Sequence, residues 1–333
     1  MNQKELLEFV LEHYNLGKLK TFKIVEGGFV NLNIQIFTTK GAYFLREYKH
    51  FFNVRKIKHL NNVLLKLKKQ GFPVAKPMLT KEGESLVELE GKVFSVSEYI
   101  EGEKYNFSKE HFFSAAKCLA NFHKNVSSIP PENGTIISCH NTEHIRLLFQ
   151  GKESIINKIQ EKKQKTQFDF HLIESINRLK KHFYLFEKDL PYVKKRDNLS
   201  IIHGDFWYGQ LIFHENEVAA LIDFDSIKIG STEYDLVKGI RSFPRYSDKI
   251  DYDLNRLKEF LEAYKSVFGK VDLKPREVIA FLRHALLEIL EYHIRVRGFE
   301  QEDKTAYKAI DYHLNELDWI EKHEDEIINE FMK

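Results

Sequence analysis

The stretch from Ile201 to Asp225 constrains this chain more than any other. It reads Ile-Ile-His203-Gly204-Asp205-Phe-Trp207-Tyr208-Gly-Gln210-Leu-Ile-Phe, passes through His214-Glu215-Asn216, and closes on Val-Ala-Ala-Leu-Ile-Asp223-Phe224-Asp225. Leu199 to Ile202 suits a short buried strand. Leu211–Phe213 and Val218–Ile222 flank turn formers and so predict a hairpin. A hairpin there would return the chain so that Asp223 lies beside Asp205. Phosphoryl transfer uses such a set: one carboxylate to accept the proton of the attacking hydroxyl, and a second carboxylate with an amide oxygen to hold Mg²⁺ on the nucleotide phosphates. Asp205, Asp223 and Gln210 fit those jobs. A His-Gly-Asp alone is more simply a strand-end turn; the ordered Gln210, hairpin and second acid are what carry the reading.

The pattern His203-Gly204-Asp205-x-x-x-x-Gln210 followed by Ile222-Asp223-Phe224-Asp225 resembles the catalytic loop and metal-binding segment of the aminoglycoside phosphotransferase and choline kinase superfamily, relatives of the protein kinases. Within that superfamily the chain resembles the bacterial spore-coat kinase-like or homoserine kinase-like branches, and the spore-coat kinase-like proteins have a similar length and layout. The resemblance implies an α+β, two-lobed, protein-kinase-like fold, with a small antiparallel-sheet lobe over residues 1–98 and a larger, mainly helical lobe over residues 99–333. It also implies ATP or GTP as co-substrate, Mg²⁺, and transfer of the γ-phosphate to a hydroxyl of a sugar, amino alcohol or aminoglycoside-like molecule. Gln210 stands where the family usually has Asn.

In chain order, Leu6, Leu7, Val10 and Leu11 predict a helix. A strand near Leu19–Val25, a turn at Glu26-Gly27-Gly28, and strands Asn33–Thr38 and Ala42–Tyr48 follow. On the resemblance, backbone N–H groups at Gly27 and Gly28 approach the phosphates, although two glycines in a hairpin are by themselves only a turn. Tyr43-Phe44-Leu45-Arg46 places Arg46 where the family carries a phosphate-binding Lys, and the planar guanidinium demands a different geometry. The helix from Val54 to Gln70 should orient that cation through an acid, yet no Asp or Glu occurs between Tyr48 and Lys81. Its Arg55, Lys56, Lys58, Lys66, Lys68 and Lys69 are expected to form a solvated cationic face. Leu86–Leu89 and Val93–Tyr99 predict a hairpin leading into Ser97–Gly102, which is similar to the hinge where backbone at Glu98 and Ile100 meets the base.

Ser108 is a candidate cap for a helix from Phe107 to Asn125, and His123 at its end is expected to be structural. His140-Asn-Thr-Glu143-His144 matches a zinc-peptidase spacing, but it lies among loop residues with no third ligand in sight and is rejected. Lys152, Lys162, Lys163 and Lys165 suggest surface helices between Ile145 and Phe186. Asp235 is expected to start a helix and, on the resemblance, to steady the catalytic loop. Helices are also predicted over Ile250–Phe268 and from Pro275 onward. There His284, Glu288, Glu291 and Arg295 share a face, expected as a solvent-facing ion-pair stripe or, less simply, as substrate contacts. Trp207 and Tyr208 are further candidates for stacking on a substrate.

A formal charge of +2, from 51 basic and 49 acidic residues, argues against a dominant nucleic-acid partner. The charged start and the lack of an 18-residue apolar run predict neither a signal peptide nor a membrane span. Cys118 and Cys139 are too few for a disulfide framework, which favours the cytoplasm. A monomer or homodimer is expected. The departures at Arg46, Gln210 and the helix acid leave a second reading, a degenerate kinase-like protein with a structural or interaction role.

Overall fold

Leu6, Leu7, Val10 and Leu11 are the buried face of helix α1 (Gln3–Glu12). Asn2 and Glu5 close a reciprocal capping box at its start, with bonds of 2.9 and 3.0 Å. That face packs on a sheet whose strands alternate inward and outward residues. The sheet is built from β1 (Leu19–Val25), β2 (Leu32–Thr38) and β3 (Gly41–Tyr48). After helix α2 (Val54–Lys69) come β4 (Val87–Leu89) and β5 (Lys92–Glu98). The strand order is β1-β2-β3-β5-β4, and neighbouring strands run antiparallel. Ile34, Ile36, Leu45, Phe94 and Val96 form one core with the α1 residues.

Each large apolar side chain buried there contributes about 1.5–3 kcal/mol, and this sets the register. Because Leu45 points into the core, its neighbours Phe44 and Arg46 point to the opposite face. A slip of one residue would bury the guanidinium with the leucines.

The computed structural model describes residues 2–25, 31–48, 53–131, 142–193, 199–247, 249–250 and 252–332, with residues 142–150 described by their backbone alone. Gly27, Gly28, Cys139 and His140 lie outside the described residues, as do the side chains of Glu143 and His144. The chain separates into two compact units: Met1–Ile137 with Tyr208–Lys228, and Ser138–Trp207 with Ile229–Lys333. The first holds the sheet, α2, and helix α3 (Lys109–Val126), whose N-cap is Ser108. His123, as expected, is buried in that helix.

The second unit is mainly helical. It contains α4 (Thr142–Glu161) and α5 (Gln167–Val193) before the short strand β6 (Ser200–Ile202). The hairpin predicted at the centre of the sequence forms as β7 (Leu211–His214) and β8 (Glu217–Leu221), and belongs to the first unit. β9 (Lys228–Gly230) pairs with β6. Then come α6 (Thr232–Ser242), α7 (Leu254–Phe268), and α8 (Pro275–Glu291), which has Pro275 in its first turn as expected. A π-helical segment Tyr292–Glu300 leads to α9 (Ala306–Lys322) and α10 (Glu324–Met332). Val278, Phe281, Leu282, Ala285 and Leu286 of α8 centre a core shared with α5, α6 and α9.

Candidate active site

A cleft of about 630 Å³ opens in the first unit. Outward residues of the sheet line it: Asn33, Phe44, Arg46 and Tyr48, with Ser95 from β5. The chain leaving β5 adds Glu98, Tyr99 and Ile100, and the hairpin adds Gln210, Leu221, Ile222 and Asp223. Among the described residues, those expected to meet the base (Glu98, Ile100), the phosphates (Arg46) and the metal (Gln210, Asp223) therefore share one concavity. The segment after β5 is tied to the hairpin by paired bonds between Glu103 and Phe213 of 2.7 and 2.9 Å. Gly102 permits this approach, since a β-carbon there would stand 2.3 Å from the Phe213 carbonyl oxygen.

Hairpin closure brings the two expected metal ligands, Gln210 and Asp223, together. Ile222 donates its N–H to the Gln210 carbonyl at 2.9 Å, so residues twelve apart in sequence become neighbours. Gln210 Nε2 donates to Asp223 Oδ2 at 3.3 Å. Asp223 has the left-handed backbone φ 59°, ψ 67°, a conformation that costs a residue with a side chain of order 1–3 kcal/mol and tends to collect at functional positions.

Arg46 is held from several sides. Its Nε donates to Asn33 Oδ1 at 3.1 Å, because Asn33 and Arg46 are a cross-strand pair. Its Nη1 lies 2.7 Å from Asp225 Oδ1 and 3.7 Å from Asp223 Oδ1. Asp225 also accepts from Asn31 Nδ2 at 2.7 Å, and its carbonyl accepts from Lys56 Nζ at 3.2 Å. The acid missing from α2 is thus replaced by Asp225, two residues beyond Asp223, while α2 supplies a cation. Burial opposes the Arg46 charge, but Asp225, Tyr48 and Asp223 outweigh it and hold its pKa above the ordinary value. Burial, with help from Asp223, pushes the Asp225 carboxyl up despite Arg46 and Lys56. Two cations, Arg46 and Lys56, thus face the two acids Asp223 and Asp225.

In the second unit, Asp205 is half-buried at the end of the loop after β6. Asp235 accepts N–H bonds from His203 at 2.8 Å and Gly204 at 2.9 Å, the steadying contact expected of it at the start of α6. Trp207 is half-buried in this unit. Tyr208, in the first unit, stacks on Tyr105 with ring centroids 5.8 Å apart and packs on Phe107.

Three expectations need correction. The face of α2 is not simply solvated, since Lys56, Lys58 and Lys68 engage the Asp225 carbonyl, Glu84 and Glu98. Lys152 is not at the surface: it is 1% exposed and lies 3.4 Å from Glu291, which also binds Arg295. Nor do His284, Glu288, Glu291 and Arg295 form a solvent-facing stripe. His284 is fully buried beside Phe186 and Tyr234, and Glu288 accepts the Tyr234 hydroxyl. All three errors have one cause: helical periodicity identifies a face but not the element that covers it. Among the described residues, His182, Asp318 and Glu321 group like metal ligands, but Arg178 and Lys181 already engage the two carboxylates.

Sequence reasoning overlooked Asp225 and Asn31. The doubled acid of Asp-Phe-Asp was the available signal for the first; nothing local marked the second.

Comparison with known proteins agrees with this layout. The chain is similar to the homoserine kinases of Bartonella henselae, at 21% identity over 85% of this chain and 83% of that one, and of Rhizobium meliloti, at 24% identity over 80% and 76%. Among solved structures it is similar in fold to spectinomycin phosphotransferase APH(9)-Ia in complex with ADP and spectinomycin, with TM-score 0.72 and 13% identity over 95% of this chain and 98% of that one. It also resembles amicoumacin kinase hAmiN in complex with AMP-PNP, Ca²⁺ and Ami, with TM-score 0.64 and 13% identity over 98% and 94%. The model of the phosphotransferase enzyme family matches residues 21–272. The chain belongs to that family, and is an ATP-dependent phosphotransferase with an alcohol group as acceptor.

Proposed function

We propose that this enzyme phosphorylates the hydroxyl of a small metabolite of the amino-alcohol or sugar class, homoserine-like compounds first among them, using ATP or GTP. The observation that carries the reading is the cluster of Arg46, Asp223 and Gln210 in the same cleft as Glu98 and Ile100, with Asp225 behind Arg46. The names of its homoserine kinase relatives support the acceptor class.

Asp205 accepts the proton of the attacking hydroxyl. Arg46 turns toward the phosphates, and Asp225 and Asn33 set the plane of its guanidinium. Backbone at Glu98 and Ile100 meets the base. The carboxylate of Asp223 and the amide of Gln210 offer hard oxygen donors suited to Mg²⁺, and the Asp223 side chain is open enough to take it. When bound, Mg²⁺ neutralises charge on the phosphates. Trp207 and Tyr208, with His284, Glu288 and Glu291, were the acceptor-binding candidates. The burial of His284 and the engagement of Glu288 and Glu291 favour support over contact, and Tyr208 serves as packing. Exclusion of water and in-line placement supply much of the rate, because little covalent chemistry falls to the protein.

The test is the Asp205→Asn variant, measured by ADP release across a panel of hydroxylated metabolites. A loss of about a hundred- to ten-thousandfold is expected with melting temperature retained. Turnover like the wild type would end the assignment. Nucleotide-dependent stabilisation of the wild type with no turnover on any acceptor would instead point to a binding role.

A further inference from the structure

Asp235 and Lys238 lie three residues apart on α6, so their side chains share a face of one helical turn. Both grip the loop before Asp205, with opposite polarity. The Asp235 carboxylate takes the N–H groups of His203 and Gly204. The Lys238 ammonium donates to the Gly204 carbonyl at 2.6 Å. That carbonyl belongs to the peptide group that carries the Asp205 nitrogen, whose N–H in turn donates to His203 Nδ1 at 3.3 Å. Gly204 adopts φ 77°, which only glycine takes readily, so the loop is tightly turned as well as clamped.

Lys238 is 5% exposed and lies over the Tyr234 ring. Its counter-ion is Glu288 of α8 at 3.6 Å, which is itself oriented by the Tyr234 hydroxyl at 2.8 Å. An ammonium removed from water is expensive, and a methionine of similar length would fill the same space without that cost. What methionine lacks is a donor for the Gly204 carbonyl.

We infer that Lys238 is a positioning residue for the transfer step: held by Glu288, it fixes the Gly204–Asp205 peptide and so the direction from which Asp205 meets the acceptor hydroxyl. This rests on reading Asp205 as the proton acceptor. It also gives Glu288 a role behind the site instead of in contact with substrate.

Lys238→Gln, Lys238→Met and Asp205→Asn separate the two ideas. ADP release from Mg-ATP is followed with L-homoserine, with ethanolamine and with no acceptor, alongside thermal melting with and without nucleotide. In Lys238→Met, kcat should fall about tenfold to a hundredfold, as befits a lost charge-assisted bond acting only on geometry. The KM for ATP should stay within about twofold, since the nucleotide is bound elsewhere. Lys238→Gln, which keeps a neutral donor, should fall in between. An inactive Asp205→Asn beside a Lys238→Met enzyme of normal kcat would overturn this inference and leave the proton acceptor in place. Normal turnover by Asp205→Asn would remove both. If Lys238→Met fails to fold, the Gln variant decides: a kcat equal to the wild type, or a parallel loss of ATP affinity and melting temperature, overturns the positioning role.

Discussion

Two clusters of arginine and carboxylate, one in each unit, show how the same residue types serve opposite ends. At the cleft, Asp223 and Asp225 both lie beside the guanidinium of Arg46, Lys56 also reaches Asp225, and the Asp223 side chain is 40% exposed. In the helical unit, Glu316 is fully buried and lies 2.9 Å from Arg241, also binding Arg245, Tyr252 and, at 3.0 Å, His313. Burial pushes both acids toward the neutral form. At Glu316 the neighbouring Arg241, His313 and Arg245 overcome it and hold the carboxyl well below its usual range; at Asp225 they do not, and it sits above. The first cluster is partly open at Asp223, and so has room for a cation and an anionic ligand. The second is saturated and sealed, and so has only a fold to hold.

The sharpest way to break this contrast is to remove one acid from each. Asp223→Asn should lower turnover by about a thousandfold, the order of the several kcal/mol a catalytic metal contributes, with melting temperature nearly unchanged. Glu316→Gln should do the reverse. It leaves two buried guanidinium groups short of a counter-ion at a cost of about 3–5 kcal/mol in stability, read by denaturant unfolding, while activity per folded molecule persists. If Asp223→Asn destabilises and Glu316→Gln inactivates, the assignment of roles is wrong.

A smaller effect concerns Arg46. Arg46→Met should weaken nucleotide binding by about tenfold to a hundredfold, the worth of one charge-assisted contact, measured by calorimetric titration. An affinity like the wild type would mean that Asp225 keeps the guanidinium from the phosphates.

Acidification should separate the units next. Burial, with His313 and Arg297 nearby, pulls the His293 pKa from 6.5 to about 3, and burial also lowers His313 and His182. Below pH 6.5 the unfolded chain binds protons that these folded imidazoles refuse, so stability falls with pH across the window down to about 3. Glu316 adds to the loss below its ordinary value of 4.5. Asp225, shifted up, works the other way in the cleft. Hydrogen exchange at pH 7 and pH 5 should therefore show the helical unit loosening first; uniform loosening would contradict the contrast.

The smallest expected signal is thermal. Nucleotide with Mg²⁺ should raise the melting temperature by a few degrees more than nucleotide with EDTA, as follows for a ligand that binds only the folded state. Equal shifts would remove the metal from the reading of Asp223 and Gln210.

The sequence by itself settled what depends on near neighbours and on period. Alternation in β2 and β3, helical spacing in α1 and α8, Ser108 as a cap, Pro275 in a first turn and the hairpin before Asp223 were all legible, because each is a local agreement of propensity and pattern. So was the type of chemistry at His203–Asp225, which is written in contiguous residues. What only the tertiary structure decided is partnership across distance. Asn31 and Asp225 meet 194 residues apart in sequence, Lys152 and Glu291 139 apart, and Lys238 reaches Gly204 34 residues back. A charged side chain carries no local mark of whether water or a distant opposite charge will neutralise it. That is why the basic face of α2 and the polar face of α8 read as solvent-facing, and why the acid that orients Arg46 was sought on the wrong element.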